Sequence, residues 1–353
     1  MKHPLSPLCS TNLTILFHNL PSRDWFGNAL RSLGRFYRFV PLSGVEEYFS
    51  GGARFNSCCH VTFDDGDASF YRDGFPVLRD MGVPATLFIS PRTIIDRSHY
   101  WFQELAICSR HVAPVDIRTA MSDVLGWPAD RIQTFSVMSL FLCMPIADIH
   151  RVLEALKARY HVSLTESPNM TVDQVREVAR SGLVTIGAHS MDHPVLGNET
   201  DARAREEIER SVVEVSRMID APVAAFAYPN GTETIDFGAR EQHVLRGAGV
   251  RLAFSTDPGF FGAATNPLAI PRGGCPRLEG EPEFRTAARL VLLPALAWLN
   301  RQAFAGRRSE PAERRAIRRE LQGISREIPL VPARESHPAG LAEDAKGHDA
   351  RPR

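Results

Sequence analysis

Two adjacent aspartates, Asp64 and Asp65, close the apolar run Val61-Thr62-Phe63 and are followed by Gly66. Far downstream stand two histidines, in the run His189-Ser190-Met191-Asp192-His193-Pro194. Carboxylates at the end of a buried strand are costly to desolvate unless something uses them. Two imidazoles at i, i+4 on a helical turn face a common point. One carboxylate and two imidazoles, with positions left open, suit a catalytic divalent ion of the zinc type. Such an ion polarises a carbonyl and acidifies water, and the spare carboxylate can then act as the base. Each run alone has a plainer reading. Asp-Asp-Gly is also a capping turn, and a histidine pair is also a solvated surface. No glutamate follows His189 directly, so this is not the zinc-protease helix.

The elements that must position these residues alternate. Leu13–His18 and Cys58–Phe63 read as buried strands, Asp73–Met81 as a helix stopped by Gly82, and Ala85–Ser90 as a third strand. Residues 94–170 read as a helical insertion. Thr171 then caps a helix through Ser181, and Leu183–Ile186 is a strand ending at the histidine run. Asp201–Asp220 is a long amphipathic helix. Ala224–Tyr228 is a strand ending in Pro229-Asn230-Gly231, Glu241–Ala248 a helix, and Leu252–Ser255 and Leu268–Ile270 the last strands. This predicts an α/β protein, either a (β/α) barrel or a doubly wound sheet. The barrel is favoured because His18, Asp64, Asp65, His189 and Asn230 all follow strand C-terminal ends. Residues 11–282 form that unit, 283–306 read as a C-terminal helix, and 307–353 as a charged, disordered tail.

Lys+Arg and Asp+Glu balance at 41 each, which speaks against a nucleic-acid binder. None of the six cysteines forms a C-x-x-C pair, which favours a reducing compartment. The N-terminus has no apolar signal region and no run reaches spanning length, so a cytoplasmic location is expected. The apolar face of 284–304 offers one route to peripheral contact with the inner membrane face, and the alternative is that it covers the barrel.

Thr62-Phe63-Asp64-Asp65-Gly66 and His189-Ser190-Met191-Asp192-His193-Pro194 together resemble the first two motifs of the polysaccharide deacetylase family (NodB homology domain, carbohydrate esterase family 4). Ala85-Thr86-Leu87-Phe88 resembles its "P-A-T-F-F" strand, Phe226–Gly231 takes the place of its third motif, and Ile270-Pro271-Arg272 resembles the "L-P-R" of one branch. The resemblance implies a distorted (β/α)7-type barrel. It implies Asp64 as general base, Asp65, His189 and His193 as ligands of one divalent metal (Zn2+, with Co2+, Mn2+ or Ni2+ as alternatives), and Ser190 as support for the histidine loop. The implied reaction is hydrolysis of an N-acetyl, less often O-acetyl, group on a sugar, oligosaccharide or lipid-linked glycan. Tyr228, Pro229 and Gly231 are expected to contact substrate.

The chain departs from that pattern. The third motif's Arg-x-Pro-Tyr reads Ala227-Tyr228-Pro229-Asn230 here, so its arginine and tyrosine are missing. Asn230 can still supply the backbone N–H that holds the oxyanion. Arg272 is expected to replace the lost arginine on Asp64. The family's Leu-x-His, source of the general acid, has no counterpart after Asp257, and His18 is the spare histidine placed to act. Two further readings stay open: a cyclic-amide hydrolase on the same barrel, and a non-catalytic metal- or glycan-binding descendant.

Overall fold

The computed structural model describes residues 11–52, 54–274 and 312–327. Seven of the described strands run parallel in a curled sheet: β1 (Asn12–Phe17), β2 (Arg38–Phe39), β3 (Cys58–Phe63), β4 (Ala85–Ile89), β5 (Val184–Ala188), β6 (Ala225–Ala227) and β7 (Leu252–Phe254). The order runs β7-β6-β5-β4-β3-β1, ending in an antiparallel β8 (Phe260–Phe261), and β2 pairs with β3. All six residues of β1 and of β3 are buried, as expected of parallel strands covered on both faces. The segment after β8 closes the ring. Ile270 bridges Phe254 of β7, and β9 (Gly273–Gly274) pairs with Ile15 and Leu16 of β1.

Helices cover the sheet. They are α1 (Arg23–Gly34), α2 (Leu42–Phe49), and α3 (Phe75–Met81), which a five-residue π turn at Phe70–Gly74 precedes. Between β4 and β5 lies the helical insertion: α4 (Pro91–Ile95), α5 (Trp101–Cys108), α6 (Pro114–Leu125), α7 (Ala129–Ile132), α8 (Val137–Phe141) and α9 (Ile146–Tyr160). It has its own apolar core, built on residues such as Met121, Phe141, Ile149 and Leu156. The barrel resumes with α10 (Val172–Arg180), capped by Thr171 as the sequence predicts, α11 (Asp201–Ile219) and α12 (Ala239–Gly247).

Three local differences have physical causes. Helices α1 and α2 fall in a stretch to which the sequence reading assigns no element, although Ser22 caps α1 by accepting from Trp25 N–H. The last strand sits at 273–274 rather than 268–270, because it pairs with β1 while Ile270 only bridges β7. Within the stretch expected to be disordered, residues 312–327 form a helix, α13. Its Ile317, Leu321 and Ile324 make a helical stripe inside an Arg- and Glu-rich composition, and Ile317 and Ile324 are buried. The helix expected at 283–306 lies outside the described residues. Among the described residues no helix is long and apolar enough to cross a membrane.

His60 of β3 is wholly buried, with Nδ1 2.9 Å from Val40 O and Nε2 3.0 Å from Thr86 Oγ1. Burial pushes its pKa down to about 4 from 6.5, so the fold holds it neutral. Between those values the unfolded chain binds the extra proton. The His60 contribution is therefore complete above about pH 6.5 and is lost as pH falls toward 4, by about 3 kcal/mol. Urea unfolding across that range is expected to show a steeper loss for the wild type than for His60→Gln, and equal slopes would refute it.

Candidate active site

The first carboxylates are set by a break in strand geometry. Asp64 N–H still donates to Phe17 O at 3.1 Å, extending the β1–β3 ladder. Asp65 then takes φ +72° and Gly66 φ +70°. The left-handed step begins at Asp65 itself, not only at the glycine expected to permit it, and it cancels the alternation that would send the two side chains to opposite faces. Both carboxylates therefore reach one imidazole: His189 Nε2 lies 3.9 Å from Asp64 Oδ2 and 3.6 Å from Asp65 Oδ1. Tyr100, from the start of the insertion, locks the step by donating its hydroxyl to Asp65 O at 2.6 Å.

His189 follows β5. Its Nδ1 lies 2.7 Å from Ala227 O. A carbonyl only accepts, so Nδ1 carries the proton and Nε2 presents its lone pair to Asp65. His193 Nε2 sits 3.4 Å from the same Asp65 Oδ1. The ligand atoms of Asp65, His189 and His193 all lie within 4.8 Å of one another. Buried Asp65 Oδ1 and His193 Nδ1 have no hydrogen-bond partner. Burial raises the Asp65 pKa, and burial beside His189 pulls that of His193 well down. An orphaned buried carboxylate oxygen facing two imidazole nitrogens is the donor set a divalent cation satisfies.

The segment 189–194 is a loop, not the helical turn that i, i+4 spacing predicts. Ser190 and His193 carry φ +61° and +56°, values unfavourable for residues with a Cβ. The neighbours over-determine it. Glu207 of α11, wholly buried, accepts both Met191 N–H and Asp192 N–H at 2.9 Å. Arg203 joins Glu207 at 2.7 Å and Asp192 at 2.8 Å, and Arg92 pairs with Asp192 from the other side. Trp101 Nε1 donates to His193 O at 2.9 Å, Ser90 Oγ to His189 O at 2.8 Å and Ser190 Oγ to His189 O at 2.5 Å. Sequence reasoning missed Glu207. Its signal is a glutamate within the buried stripe Ala204, Ile208, Ser211, Val215.

Arg272 is delivered by the ring-closing segment. It is 0 % exposed and grips Asp64 with both arms, Nη1–Oδ1 2.7 Å and Nη2–Oδ2 2.8 Å, while its Nε donates to Ser255 O at 2.9 Å. Burial raises the Asp64 carboxyl, but the guanidinium, with His189, outweighs it and holds the pKa at about 2.

The third-motif stretch needs correction. Tyr228, expected to contact substrate, is wholly buried; its hydroxyl donates to Leu268 O at 2.8 Å and its ring stacks on Phe237 with centroids 3.5 Å apart. Pro229 and Gly231 are buried too, and a Cβ on Gly231 would lie 2.8 Å from Tyr228 O. Tyr228 thus packs in the core, and Pro229 and Gly231 shape the backbone of the turn. Asn230 has φ +60°, and its carbonyl accepts the Thr256 hydroxyl. His18, exposed at the end of β1, is near enough for its charge to lower the carboxyls of Asp64 and Asp65.

A curled α/β barrel with a carboxylate–imidazole cluster and an arginine-held carboxylate at its strand ends places this protein in a class of α/β barrels. Within that class the chain resembles the polysaccharide deacetylases: residues 145–251 match the family model "Polysaccharide deacetylase". A curated protein of Bacillus subtilis, "Putative polysaccharide deacetylase YxkH", is 31% identical over 62 residues, covering 18% of this chain and 22% of that protein. The match thus spans about a fifth of that relative. The structure of IcaB from Ammonifex degensii aligns with a TM-score of 0.52 at 19% identity, covering 80% of this chain and 97% of that one. The Streptococcus pyogenes deacetylase PplD, solved in complex with acetate, aligns with a TM-score of 0.50 at 15% identity, covering 75% and 92%. These likenesses establish the barrel fold. The matched family and PplD are deacetylases, which are hydrolases.

Proposed function

We propose that this protein is a metal-dependent carbohydrate deacetylase, hydrolysing the C–N bond of an N-acetyl group, or less often an O-acetyl ester, on a sugar, oligosaccharide or lipid-linked glycan. The observation that carries this reading is the two-armed Arg272–Asp64 pair beside the unpartnered oxygen of Asp65. A base held charged stands next to a cradle for a cation.

In this reading Asp65, His189 and His193 hold one divalent ion; Zn2+ suits the donors best, and Co2+, Mn2+ and Ni2+ fit the same set. When bound, the ion polarises the acetyl carbonyl and lowers the pKa of water. Asp64 takes the water's proton as the oxygen adds to the carbonyl carbon. A carboxylate with a pKa of about 2 is a weak base, so it works only on acidified water, and Arg272 keeps it ionised and aimed. The Asn230 backbone N–H donates to the oxygen on which negative charge develops. His18 gives a proton to the leaving nitrogen as the C–N bond breaks, releasing acetate and an amine.

The test is acetate release from a panel of acetylated oligosaccharides and precursors, with and without chelator. Release abolished by chelator and restored by Zn2+ is expected; release indifferent to chelator would overturn the metal role, and none from any sugar would overturn the activity. Glu207→Ala, which leaves two loop N–H groups without an acceptor, is expected to weaken Zn2+ or Co2+ binding about tenfold. Titration with Co2+, followed by absorption, checks this, and wild-type affinity would show that the loop holds its shape without Glu207.

A further inference from the structure

Helix α13 packs on the seam between the helical insertion and the loops that follow β5 and β6. On the insertion side, Glu313 accepts Ser136 N–H at 2.7 Å and Ser139 Oγ–H at 2.6 Å, Glu320 pairs with Arg131, and Ile317 joins the insertion's apolar core. Arg314 donates to Leu142 O of the insertion at 3.1 Å and, on the barrel side, to Asp236 Oδ1 at 2.8 Å. Arg314 and Asp236 are 6% and 1% exposed. The other oxygen of Asp236 accepts Thr232 N–H at 3.0 Å, and its carbonyl accepts Gly197 N–H at 2.8 Å. Arg318 donates to Ile235 O at 3.1 Å and to Asn198 Oδ1 at 3.2 Å. The turn from Thr232 to Phe237 includes Thr234 at φ +72°, a costly conformation for a residue with a Cβ, and its own bonds, Asp236 N–H to Thr232 O and Thr234 N–H to Phe237 O at 2.8 Å, share in holding it with the contacts from α13. Thr232 lies two residues from Asn230.

We propose that α13 is a positioning element of the active site. Through Arg314 and Asp236 it fixes the turn that follows Asn230, and so sets the direction of the Asn230 N–H. The argument rests on the role given to Asn230 above. A buried ion pair with one partner removed leaves an uncompensated charge. Without Arg314, Asp236 turns toward water and the Thr232 N–H loses its acceptor. The helix touches neither the metal cradle nor Asp64 through this contact, so the effect falls on turnover and spares metal binding.

The experiment compares Arg314→Ala, Arg314→Lys and Glu320→Gln in the full chain. It reads kcat, KM, Zn2+ affinity, Tm and hydrogen exchange of the amides in residues 230–236. Arg314→Ala is expected to lower kcat about tenfold with KM within about twofold. Exchange across 230–236 should accelerate while Zn2+ affinity holds, and Arg314→Lys should recover part of kcat. Glu320→Gln loosens α13 from α7 only and should lower Tm with kcat and exchange unchanged. Wild-type kcat and exchange in Arg314→Ala would overturn the proposal. So would an equal fall in kcat in Glu320→Gln, which would make the role one of bulk stability. If no acetylated sugar is hydrolysed by the wild type, the activity reading fails by itself. Exchange then decides: unchanged 230–236 amides in Arg314→Ala overturn the clamp, and faster ones support it.

Discussion

Asp64→Asn is expected to lower kcat about 10³-fold while the protein keeps its metal. An amide takes no proton from water, and the cradle of Asp65, His189 and His193 is untouched by the change. The variant also has a structural cost. Arg272 is wholly buried and gives both arms to Asp64, so neutralising the partner strands a guanidinium in the interior. An uncompensated buried charge of this kind costs about 3–5 kcal/mol. The loss of turnover must therefore be separated from the loss of stability. Asp64→Asn combined with Arg272→Met removes both charges, and is expected to regain much of the Tm and none of the turnover. Turnover returning with stability would remove Asp64 as the base.

His189→Ala is expected to lower affinity for Zn2+ about 100-fold or more, measured by equilibrium dialysis. Its Nδ1–H is committed to the Ala227 carbonyl, so the side chain has one nitrogen left to offer and no second orientation. Removing it also takes away the imidazole that both carboxylates face. Two donors, Asp65 and His193, then remain, too few for a closed site. Unchanged affinity in this variant would place the cation elsewhere on the molecule.

How far the sequence discloses this site depends on the kind of contact. Asp65, His189 and His193 are legible because their types at strand ends carry the chemistry themselves, and the structure brings their ligand atoms together. Strand β3 matches residue for residue, because a continuous apolar run ended by two aspartates leaves little choice of boundary. The Arg272–Asp64 contact joins residues far apart in sequence, and no local pattern encodes it. The one sequence cue to it is the missing arginine of the third motif. Tyr228, expected at the substrate from its place in the third motif, packs in the core. The three-residue strand β6 leaves its side chain in the core, stacked on Phe237. Glu207 and Arg314 were missed for the opposite reason. Each is a charged residue on a helix, and their burial depends on loops that approach from elsewhere.

The segment that closes the ring also carries the arginine that holds the base. During synthesis the chain emerges N-terminus first, so Asp64, Asp65 and both histidines leave the ribosome well before residues 270–274. Until those residues dock between β7 and β1, Asp64 has no guanidinium to fix it. The last strand of the barrel therefore forms the Arg272–Asp64 pair as it closes the ring.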